Sequence, residues 1–240
     1  MTSLSGPILA EYQDLFSSSA TQGGIQLGAK AYTGDGREFR FALAGGTSLV
    51  PGKLQQSAVE TTAWEQVAVK AAAIGATQVT LTSSLTITAN ALAGGYLIVA
   101  TTPGQGYQYQ ITGNTAVSAA ANCVVYLADP IQVALTTSST VTVILNPYAS
   151  VIVCPTTLTG IPVGVPVTIV TNAQYGWLQV AGLANVLSDD ALTIGTALVA
   201  SDTVAGAVTP LAAAATLSVV ATAAMTSTDT DYSAVWLSIG

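Results

Sequence analysis

The chain contains no histidine. That absence removes Ser-His-Asp and Cys-His catalysis, histidine-ligated zinc and the commonest general base. Charge is scarce as well: 7% of the 240 residues are charged, against about 25% in an average soluble domain. The surface must therefore be finished with Thr, Ser, Asn, Gln and Gly, which cost little to desolvate against another protein. Cysteine is limited to Cys123 and Cys154, which show no metal-ligand spacing. In a reducing cytosol both read as buried small hydrophobes, and a bond between them stays open. No apolar run is long enough for a membrane-crossing helix. The start, residues 1–16, lacks the basic and apolar regions of a signal peptide, so synthesis in the cytoplasm is expected.

The basic residues are few and one-sided. Lys30, Arg37, Arg40, Lys53 and Lys70 all lie in the first 70 residues, beside six acids, which leaves that stretch at −1. Everything after Lys70 has six aspartates and no base, hence −6. Phosphate backbones are bound through Lys and Arg, so nucleic acid is excluded as a partner of residues 71–240. Attachment to a membrane surface through a basic patch fails for the same reason.

What is present is β-pattern. Hydrophobic residues make up 50% of the chain, mostly in short runs that alternate with Thr, Ser and Gln. Thr33-Gly34-Asp35-Gly36 is a tight-turn signal, and Arg37–Ala42 after it has a period near two. Strands are then expected at Gln78–Leu81, Leu85–Ala89, Gly95–Ala100, Tyr107–Ile111, Cys123–Leu127, Val133–Leu135, Val141–Leu145 and Val151–Val153. A second series runs Val167–Thr171, Gly176–Ala181, Ala184–Leu187, Ala197–Val199, Ala205–Val208, Thr216–Val220 and Val235–Ile239. Between the two series, Pro155–Pro166 carries three prolines and two glycines and reads as a boundary or corner. Leu9–Phe16 and Ala63–Ala73 are the candidate short helices, and Leu211–Ala215 is a loop or strand flank.

The expected fold is all-β: two small β-sandwich or β-barrel modules with an extended N-terminal arm. Residues 1–70 form the arm and docking region, 71–155 the central module and 156–240 a barrel-like C-terminal module. The arm, through residue 24, is expected to order only on a partner. With no fixed internal repeat, a solenoid is disfavoured, while a trimeric β-fibre remains an alternative.

The chemistry-bearing residues are few. Asp189-Asp190 is the one adjacent carboxylate pair; a catalytic or calcium pair is one reading, a solvated hairpin turn the preferred one. Asp229 and Asp231, spaced by two, could touch a cation, with a surface loop the preferred reading. Gly104-Gln105-Gly106 lacks the lysine and helix of a phosphate-binding loop. Trp64, Trp177 and Trp236 are core or interface anchors before they are sugar platforms. No catalytic residue, cofactor or metal site is expected.

Several motifs, taken in order, carry a resemblance. Asp35-Gly36-Arg37-Glu38-Phe39-Arg40, Gly52-Lys53-Leu54-Gln55-Gln56, Gly106-Tyr107-Gln108-Tyr109, Asn146-Pro147-Tyr148, Tyr175-Gly176-Trp177 and Asp231-Tyr232-Ser233-Ala234-Val235-Trp236 span most of the chain. In that order the chain resembles a family of tailed-bacteriophage virion proteins. The resemblance implies a capsid decoration, or cement, protein on the outer capsid surface, with the major capsid protein as partner. A homotrimer is the expected assembly at threefold seams. Lys30, Arg37, Arg40 and Lys53 are the candidate capsid-docking residues, with scattered surface charge or intramolecular pairing such as Arg37 with Asp35 as the plainer reading. The alternative function is a tail or head-fibre adhesin that binds host glycans; a tail polysaccharide-degrading enzyme would need a carboxylate pair in a cleft, which the sequence does not suggest.

Overall fold

A computed structural model of the chain describes residues 8–82, 86–118, 121–212, 217–228 and 231–239. The first 59 residues supply β1 (Ile8–Leu9), α1 (Tyr12–Leu15), β2 (Lys30–Tyr32), β3 (Glu38–Leu43) and β4 (Gln55–Gln56). Residues 60–146 supply β5 (Val67–Ala68), β6 (Gln78–Thr82), β7 (Tyr96–Val99), β8 (Gln108–Asn114), β9 (Asn122–Leu127) and β10 (Thr140–Ile144). The remainder supplies β11 (Ile152–Val153), β12 (Pro162–Pro166), β13 (Tyr175–Leu187), β14 (Ala197–Ala200), β15 (Val208–Pro210), β16 (Ala221–Ala223) and β17 (Tyr232–Ser238). The chain is all-β, as its alternation requires.

Two compact units result: Glu60–Asn146 is one, and the segments Met1–Val59 and Pro147–Gly240 together make the other. These limits differ from divisions at 70/71 and 155/156. The reason is the pairing of β3 along β13, Tyr175 opposite Leu43 through Ala181 opposite Glu38. That ladder welds the basic N-terminal hairpin to the C-terminal strands in one sheet, so the first 59 residues do not form a unit of their own. The expected arm is likewise tied down over residues 8–24. β1 runs parallel to β2, Ser19 bridges Tyr175, and Leu15 is fully buried beside Phe39, Phe41 and Trp177.

The 60–146 unit is a small barrel. Its strands run β5-β10-β7-β8-β9-β6. Val69 then bridges Leu81, and the Lys70 N–H donates to the Thr80 carbonyl at 2.9 Å. That single contact draws the two outer strands together and curls the sheet into a partly closed barrel. Alternation explains the filling: Val79, Leu81, Leu97, Val99, Ile111, Cys123 and Val125 point inward, together with Trp64. Asn114 is buried among them and satisfied, donating to the Thr88 and Thr115 carbonyls and accepting from the Leu92 N–H. The helix expected over 63–73 is reduced to one 3-10 turn at Thr62–Trp64, because Val67–Lys70 is drawn into the barrel wall.

The other unit is built on the path β1-β2-β3-β13-β17-β16-β14-β15, with β12, β4 and β11 attached through β13. β13 joins two stretches expected as separate strands into 13 residues, bulged between Gln179 and Ala181 where it leaves β3. The Pro155–Pro166 corner contains β12, whose prolines sit at the strand ends. Val133–Leu135 and Val167–Thr171 form only isolated bridges, at Leu135 and Val170. Part of the Ala-rich run after Leu211, Leu85 and Asp229 lie outside the described residues. Among the described residues no helix is long and apolar enough to cross a membrane.

Candidate functional site

The four basic candidates occupy half-buried positions. Lys30 and Arg40 face each other across β2 and β3, a like-charge pairing that needs relief. Glu38 supplies it: its carboxylate lies 2.7 Å from Lys30 Nζ. Arg40 Nη1 donates to the Gly28 carbonyl at 3.0 Å. Arg37 Nε donates to Asp35 Oδ2 at 2.7 Å, and its guanidinium lies 5.6 Å from the centre of the Phe39 ring. Thr33 and Arg37 together hold the Asp35 carboxyl below its ordinary range. Lys53 lies apart from this hairpin, its stem against Gly206. The structure therefore brings three of the four together on one hairpin and gives each of those three an intrachain partner.

Asp189 and Asp190 serve the fold. Asp189 Oδ2 accepts from the hydroxyls of Ser201 and Thr203, which ties the start of that loop to the turn after β14. Asp190 Oδ2 accepts from Thr209 Oγ1 at 2.6 Å. Two separate hydroxyl clamps, rather than a shared cation or a shared proton, account for the pair. Trp64 and Trp177 are core residues; Trp236 is not.

The feature sequence reasoning passed over is a surface on β13 and β17. Side chains alternate across a strand. Register places Leu183 opposite Trp236, Asn185 opposite Ala234 and Leu187 opposite Tyr232. Leu183 is 52% exposed, Trp236 58% and Tyr232 45%. The partners of this row point the other way and are buried: Ala184, Val186, Val235 and Leu237. So on β13 and β17 the inner face is filled, while the outer row of Leu183, Trp236 and Tyr232 is exposed, carries no charge and, Asn185 apart, is apolar. Exposed apolar groups gathered like this mark interaction surfaces.

Beside this row lies a cleft of about 600 Å³, within the range of roughly 300–1,000 Å³ typical of binding pockets. Phe16, Pro51, Pro166, Leu183 and Tyr232 give it apolar walls, and Gln179 and Asn185 give it amides. Arg37 is the one charged residue among those lining it. Gln179 is buried and its amide is committed, donating to the Ala181 and Leu183 carbonyls at 3.1 and 2.8 Å. Close packing sets one wall: a Cβ at Gly52 would come within 2.6 Å of the Tyr232 ring. One signal in the sequence was available, the alternate set Tyr232, Ala234 and Trp236. It is masked because the intervening Val235 and Leu237 are apolar too.

Such an arrangement can hold another molecule by apolar contact and a few directed hydrogen bonds. Nothing in it pairs a nucleophile with a base. Compared with protein-family models, with the curated proteins and with the solved structures, the chain has no significant match in any of the three.

Proposed function

We propose that this chain is a structural protein that works by packing against other protein subunits, as a decoration or cement protein on the outer surface of a tailed-phage capsid. The observation that carries the packing half of this reading is the exposed, charge-free row of Leu183, Trp236 and Tyr232 on β13 and β17. Burying large aromatic and aliphatic side chains stabilises an interface by about 1.5–3 kcal/mol each. The capsid half rests on the ordered motifs from Asp35 to Trp236. On this reading the major capsid protein is the partner, further copies of the chain assemble as a homotrimer, and no reaction is catalysed. The half-buried Lys30, Arg37, Arg40 and Lys53 steer and orient docking more than they drive it, because intrachain partners already hold three of them.

Electron microscopy of purified phage particles with gold-labelled antibody to the chain tests this. Label is expected over heads, and particles grown with Trp236→Ser and Leu183→Ser together are expected to lose most of it. Label confined to the tail would reject the capsid role.

One observation favours the adhesin alternative: Trp236 and Tyr232 share an exposed face, and flat aromatic rings stack on sugars. Binding of the isolated protein to a glycan array, abolished by Trp236→Ala, would select that reading.

A further inference from the structure

The backbone of β13 is open where it borders the cleft. In an antiparallel ladder the N–H and C=O of one residue point to the same side, and successive residues point to opposite sides. The Ile239 N–H donates to the Val180 carbonyl and the Ser188 N–H to the Asp231 carbonyl. Even-numbered residues of this part of β13 therefore face β17. Leu187 faces away, its N–H donating to the Gly52 carbonyl at 2.8 Å. Leu183 and Asn185 share its phase and must face away too. On that side the register with β3 ends at Ala181 opposite Glu38. No strand takes its place before Gly52 meets Leu187. The Leu183 carbonyl is capped by Gln179, but the N–H groups of Leu183 and Asn185 have no partner strand among the described residues. Both residues line the cleft.

The ends of this gap are defined. At one end the turn that carries Arg37 abuts Gly182, where a Cβ would sit 3.1 Å from Arg37 Cγ. At the other stand Pro51 and Gly52. From Ala181 to Leu187 the strand advances roughly 20 Å at about 3.4 Å per residue, room for a segment of about four residues. Arg37 uses Nε on Asp35, and its two terminal nitrogens make no hydrogen bond among the described residues. In a chain of net charge −7, this is the one cationic group that faces the cleft.

We infer that the cleft takes an extended segment of a partner protein as a short added strand on β13, with an acidic residue at the Arg37 end. The open N–H groups donate to the segment's carbonyls, which gives affinity without regard to sequence. Phe16, Leu183 and Tyr232 receive its alternate apolar side chains. Arg37 fixes its direction, since a guanidinium that offers two N–H groups pairs best with a carboxylate. This assignment rests on the packing role proposed above and specifies how the contact is made.

The test uses the full ¹⁵N-labelled chain and two synthetic probes, acetyl-Asp-Val-Thr-Val-Thr-amide and acetyl-Thr-Val-Thr-Val-Asp-amide. One of the two is expected to shift the Leu183 and Asn185 amide signals and slow their hydrogen exchange at least tenfold. Its Asp→Asn version is expected to bind about tenfold more weakly, in line with a charge-assisted hydrogen bond. Arg37→Gln is expected to erase that difference between the two probes. Unmoved Leu183 and Asn185 amides at millimolar peptide would overturn the assignment. So would equal binding of the Asp and Asn probes by the natural chain, a comparison that needs no variant to fold. Particle location plays no part here. A chain found on heads that leaves these amides unprotected loses only the cleft assignment, and a chain absent from heads that protects them loses only the capsid role.

Discussion

At the residue scale, several side chains that look chemical in the sequence are spent on the fold. The two cysteines are both buried and free, one in each unit. Burial in apolar surroundings pushes the Cys154 thiol from 9.0 up to about 12. The sign of the consequence follows from linkage. Between pH 9 and 12 the unfolded chain has released this proton while the folded chain keeps it, so folding loses stability as pH rises through that window. Three pH units correspond to a loss on the order of 4 kcal/mol by pH 12. Urea unfolding of Cys154→Ala from pH 8 to 11 should therefore show a shallower alkaline decline than the natural chain, whatever the offset from the lost sulfur. An identical slope would remove Cys154 as its source. The alternation around Phe39 and Phe41 made them readable as core. Which of the exposed aromatics would be left bare was not readable, since in Tyr232–Leu237 both faces carry apolar residues.

At the scale of elements, hairpins and strand cores were largely legible, while closures were not. The turn at Thr33–Gly36 and strands β6 to β10 stand close to where alternation puts them. The barrel's closing contact was hidden, because Val67–Lys70 is too short to show a period and sits beside helix-forming alanines. Its importance is testable. Lys70→Pro removes the N–H that donates to Thr80, and proline at a paired strand position loses that ladder bond with nothing to replace it. Hydrogen exchange in residues 78–82 should accelerate in that variant while the β13–β17 ladder keeps its protection. Equal acceleration in both would mean that the bridge does not govern the barrel on its own. Similarly, the two halves of β13 were legible, but their union was not: Gly182, in a left-handed conformation at φ 88°, reads as a break in sequence and serves in the fold to let the Arg37 turn approach.

For the whole molecule, the scarcity of charge and the uncovered face on β13 and β17 bear on assembly. A surface poor in like charge costs little to bring against a copy of itself. Native mass measurement at micromolar protein is expected to give three times the 24.1 kDa chain mass; a species that stays monomeric both free and on particles would refute the trimer. Composition and periodicity by themselves determined that the chain is all-β, lacks histidine chemistry and cannot neutralise phosphates after Lys70, because those properties depend on residue type and local alternation alone. Only the tertiary structure decided that the basic hairpin and the C-terminal strands share one sheet, that three of the four docking candidates are already paired, and that β13 leaves two backbone amides open beside a cleft. Those outcomes depend on which strands meet and in what register, and residues far apart in sequence, such as Gly52, Arg37 and Leu183, carry no local signal of their meeting.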